Sequence, residues 1–245
     1  MKKQFISIFS AISIFMFGFI HVSGAQNMQH EESGLSTRQQ HIVRIAALTA
    51  KGDIPNLKTA LNEGLDAGLT VSETKEVLVQ MYAYCGFPRS LMGINTLIAV
   101  LDERKAQNIH DHQGPQASPI TDTRDKYTRG KEILETLTGR TDTGQTSGFG
   151  AFSPEIDVFL KEHLFADIFE RDILNYQDRE LATIAALVSL GGVKPMMQSH
   201  MNIGMHVGLT EPQLRQVLSI IESSVGQQEA AAGAGVLDTV LASRQ

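Results

Sequence analysis

The 245-residue sequence has no tryptophan and a single cysteine, Cys85. One cysteine cannot close an intramolecular disulfide, so the fold must rest on its apolar core. Two-cysteine redox chemistry within one chain is excluded as well, because no second thiol is present to resolve the product of the first. Alternating Val/Ile/Thr-rich stretches are missing, and with them the pattern of a sheet protein. There is no excess of positive charge: 21 Lys and Arg stand against 27 Asp and Glu, a net charge of −6. Nucleic-acid binding needs a basic face, which this balance does not supply.

What is present begins with a leader. Lys2 and Lys3 precede an apolar run over residues 5–20, and Ser23-Gly24-Ala25 follows. A short positive start, an apolar stretch and small residues at the cleavage positions predict a signal peptide over residues 1–25, cut before Gln26. The run is short for a spanning helix and has no stop-transfer flank, so a retained N-terminal anchor is the weaker reading. No cysteine follows the run to carry a lipid. The expectation is a periplasmic or secreted bacterial protein, free of the membrane after cleavage, and loss of the two lysines takes the net charge from −6 to −8.

The mature sequence is organised by an internal repeat. "LSTRQQHIVRIAALTAKGD" (35–53) aligns with "LNYQDRELATIAALVSLGG" (174–192) at an offset of 139. "LNEGLDAGLTVSETKEVL" (61–78) aligns with "MNIGMHVGLTEPQLRQVL" (201–218) at an offset of 140, and that register continues to Val100-Leu101 and Val240-Leu241. Duplication of one helical unit accounts for this. The predicted units span residues 35–105 and 125–245, joined by a linker over 106–124.

Each unit reads as three helices. Leu181, Ile184, Ala185 and Val188 form an apolar stripe on one helix face. Gly191-Gly192 and Pro195 break that helix, and a second follows over residues 196–207. Thr210-x-x-Gln213 and Thr70-x-x-Glu73 are matched capping boxes that open the third helix of each unit. Ahead of the second unit, "RDKYTRGKEILETL" has helical spacing, and Ser153-Pro154-Glu155 is a helix opening. "NIHDHQGPQASP" and "TGRTDTGQTSGFG" read as loops.

These residues carry a family resemblance. "KEVLVQMYAYCGFPRSLMGINTL" resembles the C-terminal half of the carboxymuconolactone decarboxylase family, where a Glu-Val-Leu helix runs into Tyr-x-Gly-x-Pro. "RELATIAALVSLGG…MQSHMNIGMHVGLTEPQLRQVL" is similar to that family's central region, and "RGKEILETLTG…AFSPEIDVFLKEHLFADIFERDIL" to its N-terminal part. The resemblance covers most of residues 35–105 and 125–243, twice over. It implies an all-α fold of tandem alkylhydroperoxidase D-like helical units and assembly into homo-oligomers, with a trimer of tandem chains as one form. It also implies one of two chemistries: decarboxylation of a small organic acid or lactone without a cofactor, or peroxide reduction through a Cys-x-x-Cys pair.

By position in the resemblance, Glu180 and His200 match the superfamily's functional Glu and His. The two cysteine positions of a peroxidase fall on Gly192 and Pro195 in the second unit and on Asp53 and Asn56 in the first. The first unit has His41 and Ala60 where the second has Glu180 and His200, so a single site per chain belongs to the second unit, completed or not by the first. Glu and His are suitable proton donors and acceptors for decarboxylation. Structural readings stand beside this: a carboxylate near a helix start favours the dipole, and a histidine amid methionines can be a core residue. Counted from the Gly191 turn at about 1.5 Å per residue, Glu180 lies roughly 16 Å deep and His200 about 7 Å, so a simple hairpin keeps them apart.

Arg89, after the Pro88 break, and Arg179 are candidate substrate-binding residues, since a guanidinium fork suits a carboxylate; the competing reading for both is a solvated surface arginine. Glu76 is an even choice between surface and pocket, and Glu73 belongs to the capping box. His110-Asp111-His112 has ligand residue types but no third ligand nearby, so no metal site is assigned, and His206 falls off the face of His200. Cys85 aligns with Val225 of the second unit, so it reads as a packing residue, with an intermolecular disulfide as the lesser alternative. The readings left open are an acid–base lyase, a peroxide reductase, and a non-catalytic member that binds a ligand or builds an oligomer.

Overall fold

The computed structural model describes residues 34–144 and 148–244. The predicted signal peptide lies outside the described residues. Local signals start the helices. α1 (Thr37–Lys51) opens on a capping box of Ser36 and Gln39. α2 (Ile54–Asp66) is capped by Asp53, with proline in its first turn. Thr70 and Glu73 form the predicted box before α3 (Val71–Ala106). The linker then closes over that start, as the Val71 and Ser72 amides donate to the carbonyls of His112 and Gln113.

α4 (Lys126–Thr138) leads to two short helices, α5 (Gly148–Phe152) and α6 (Pro154–Val158). Pro154 starts α6 as expected, but Ser153 makes no capping bond. The chain then widens into a π-helix over Phe159–Phe169. That π segment lies hard against α4, where a Cβ on Gly130 would come 1.7 Å from the Lys161 carbonyl oxygen. The Lys161 side chain is buried and paired with Asp142 and Asp157, each at 2.8 Å.

The second repeat follows as α7 (Tyr176–Leu190), α8 (Lys194–His206), α9 (Glu211–Ser224) and α10 (Gln227–Ala242). Asn175 caps α7 through the Asp178 amide, and Thr210 with Gln213 forms the second predicted box. Three helices per unit was an undercount, because the third is broken. In α3 the break is at Gly86, whose φ of 82° and ψ of 157° lie outside the helical region and suit glycine. At the same repeat position, Gly226 separates α9 from α10.

Among the described residues the architecture is all-α, with helices and no strands. α1 and α7 pack on each other at the centre, α3 leans on α7, and α9 leans on α1. Each repeat therefore rests its third helix on the first helix of the other, and both feed one continuous apolar core. The sequence predicted a single apolar stripe on α7, but every residue from 178 to 189 is buried, because helices of both repeats surround it. Arg38 of α1 ties the repeats together at the rim, 2.6 Å from both Asp178 and Glu73. No described helix is long and apolar enough to cross a membrane.

Candidate functional site

Two helices of the second repeat create the central contact. Glu180 sits in the second turn of α7 and is fully buried. His200 lies mid-way along α8, and Gly204 is one turn further on. Gly204 has no side chain to hold the helices apart: a Cβ there would stand 3.2 Å from Ile184 Cδ1 and 3.8 Å from Glu180 Cβ. Gly64 makes the same approach in the first repeat, 3.3 Å from Ile45 Cδ1 and 3.6 Å from His41 Cβ.

With α8 this close to α7, His200 Nδ1 meets Glu180 Oε2 at 2.8 Å. The two residues therefore meet, although a simple hairpin holds them at different depths. Depth counts rise along the axes alone, whereas the glycine contact removes the lateral gap and two flexible side chains span the rest. A carboxylate on Nδ1 holds the proton there and leaves Nε2 as the reactive nitrogen, with no hydrogen bond to the described residues. The imidazole is the more open partner, its side chain 15% exposed against 1% for Glu180.

A third residue joins them from the first repeat. Tyr84, on α3 two residues before the Gly86 break, packs its ring edge-on to His200 with centroids 5.4 Å apart. Burial pushes its phenol above the ordinary range, and the Glu180 charge adds to the effect, so the hydroxyl stays protonated. Both the Tyr84 hydroxyl and Glu180 Oε1 are buried without a hydrogen-bond partner among the described residues. Sequence reasoning read Tyr84 only as part of the Tyr-x-Gly-x-Pro signature; that motif, set beside the repeat alignment, was the available signal.

Behind the pair lies a buried ion network. Arg179 is fully buried, not a solvated surface residue, because α3 packs over this face of α7. It donates to Glu76 Oε1 at 2.9 Å, Gln80 Oε1 at 2.9 Å and the Arg171 carbonyl at 2.7 Å. Arg171 adds its own fork to Glu76 at 2.9 and 3.0 Å. Burial alone would raise the Glu76 carboxyl, but hydrogen bonds and charge from both guanidiniums hold it below its usual value. Glu76 is thus neither surface nor open pocket. Gln80 closes the network by donating to the Arg179 carbonyl and to Thr183 Oγ1.

The other candidates are engaged elsewhere. Arg89 is half-buried and donates to the Ala50 carbonyl, tying the α3 break to the end of α1. Cys85 donates to the Met81 carbonyl and packs against the core. Burial pushes its thiol up to about 11, with Arg89 pulling weakly the other way, so thiolate is scarce at neutral pH. Asp111 is held by Arg104, which also reaches Asp66. Beside α8, a cleft of about 560 Å³ is lined by Arg140, Ser199, Asn202, His206 and Arg244, without His200 or Glu180 among its walls.

The family model described as the carboxymuconolactone decarboxylase family matches residues 22–95 and again 154–239. The chain therefore belongs to that family, with two tandem family units in one polypeptide. No curated protein was found that matches it.

Proposed function

We propose that the protein is a cofactor-free acid–base lyase acting on a small organic acid or lactone. The observation that carries this reading is the Glu180–His200 pair, a buried carboxylate holding an imidazole by Nδ1 at 2.8 Å. Suitable substrates have a carboxylate whose departure feeds electrons into a conjugated carbonyl, as in a carboxylated unsaturated lactone. The bond to the carboxylate breaks, carbon dioxide leaves without the electron pair, and that pair passes to the carbonyl oxygen as an enolate. His200, charged on its ring, delivers a proton from Nε2 to carbon and recovers one from water. Glu180 fixes the ring and balances its charge in the protonated state.

The test is turnover of carboxymuconolactone, followed by loss of carbon dioxide. His200→Ala is expected to lower kcat by about 10²-fold or more, with the folded assembly intact by size-exclusion chromatography. Unchanged turnover removes His200 from the mechanism. If no organic acid or lactone raises the melting temperature of the wild type, the non-catalytic reading replaces this one. Peroxide reduction is disfavoured by the half-buried, protonated Cys85 thiol; peroxidase activity abolished by Cys85→Ser would restore it. The proposal extends to export directed by residues 1–25 and to a homo-oligomer of tandem chains.

A further inference from the structure

We infer that Tyr84 is the third functional group of this site: a phenol, lent by the first repeat, that donates a hydrogen bond to the ligand oxygen on which negative charge develops. The inference rests on the lyase reading for the identity of that oxygen, an enolate, and on the structure for the residue. Tyr84 packs edge-on to His200, with ring centroids 5.4 Å apart. Its hydroxyl is buried with no hydrogen-bond partner among the described residues, although the Thr183 hydroxyl stands beside it. A buried orphan hydroxyl weakens a fold, and phenylalanine fills the same space without it. Such groups persist where function uses them. Glu180 Oε1 is orphaned in the same way, so a donor and an acceptor flank the same imidazole unspent.

The repeat supplies an independent observation. In the register that pairs Glu180 with His41 and His200 with Ala60, Tyr84 pairs with Ser224. The equivalent position on the other side of the repeat pair, formed by His41 and Ala60 of the first repeat and Ser224 of the second, therefore lacks the carboxylate, the imidazole and the phenol together. A residue needed only to pack between repeats has no reason to follow the other two. In the reaction, the phenol keeps its proton throughout: it donates a hydrogen bond to the enolate oxygen, while His200 supplies the proton that goes to carbon.

Tyr84→Phe is the test, read three ways. The melting temperature should equal or exceed that of the wild type, since an unsatisfied hydroxyl is removed. On carboxymuconolactone, kcat should fall by about 10²-fold with little change in KM. Binding of 4-nitrophenolate, a stable oxyanion followed by its absorption shift, should weaken about tenfold, equivalent to one lost hydrogen bond. A lower melting temperature with normal kinetics and binding makes the hydroxyl structural and overturns the inference. If the wild type turns over, His200→Ala is dead and Tyr84→Phe is unimpaired, Tyr84 falls and the lyase reading stands. If the wild type does not turn over but 4-nitrophenolate binding depends on Tyr84, the lyase reading falls and Tyr84 stands. Absence of both turnover and phenolate binding overturns both.

Discussion

The α3–α7 and α9–α1 contacts are built from equivalent helices yet hold different chemistry. Between α3 and α7, Glu76 and Arg179 form a buried ion pair supported by Arg171 and Gln80. In the repeat register Gln216 stands for Glu76 and Gln40 for Arg179. There Gln216 Oε1 accepts from the Leu35 amide at 2.7 Å, and Gln40 Nε2 donates to the Leu35 carbonyl at 2.9 Å. Neutral amides therefore serve one contact where charges serve the other. The fold does not require the charges, and burying them is costly. They lie on the side that carries Glu180, His200 and Tyr84, which connects the asymmetry to the site.

The largest test of this difference removes one partner from each contact. Glu76→Ala leaves Arg179 buried and uncompensated and should cost about 3–5 kcal/mol, whereas Gln216→Ala should cost about 1 kcal/mol, both read by urea unfolding. Equal losses would erase the distinction. A related difference appears in acid. The Glu76 carboxyl titrates below its ordinary value of 4.5 in the fold, so the stability it adds is present above that pH and is lost as the pH falls through the lower folded value. Melting temperatures followed downward from neutral should drop less steeply in acid for Glu76→Gln, while Gln216→Ala should leave the slope unchanged.

A smaller effect separates geometry from stability. Gly204→Ala and Gly64→Ala insert the same methyl at equivalent helix contacts, so their unfolding free energies should change alike. Only the first pushes α8 from α7 beside His200, and a displacement near 1 Å should lower turnover by about 10²-fold; equal activities would detach the glycine contact from the site. Smallest of all is Cys85→Val, which installs the residue found at Val225 in the sister unit. It should shift stability by less than about 1.5 kcal/mol and leave activity intact, and wild-type Cys85 should react slowly with iodoacetamide at neutral pH.

Much of this was legible in the sequence. The capping boxes at Thr70 and Thr210, the helix stops, the duplication and the all-α class depend on interactions between residues a few positions apart or on direct comparison of the two copies. Glu180 and His200 could be named only through their position in the family resemblance, since the first copy has His41 and Ala60 there. The break beside Pro88 was legible as well, because glycine and proline interrupt a helical pattern, but that Gly86 is the residue that leaves the helical region was settled by packing.

Tertiary structure alone decided the rest. Arg179 read as a substrate-binding candidate or a surface residue, because nothing within its own helix shows that α3, about a hundred positions earlier, covers it. The meeting of Glu180 with His200 depended on Gly204 admitting one helix to another, a lateral distance that rise per residue does not encode. Tyr84 reached the pair only because each repeat lays its third helix on the other's first. The sequence by itself determined which helices form and that there are two copies of them, since those are local free energies repeated twice. That Glu180 meets His200, and that Tyr84 of the other repeat stands against the imidazole, came from the packing that brings distant side chains together.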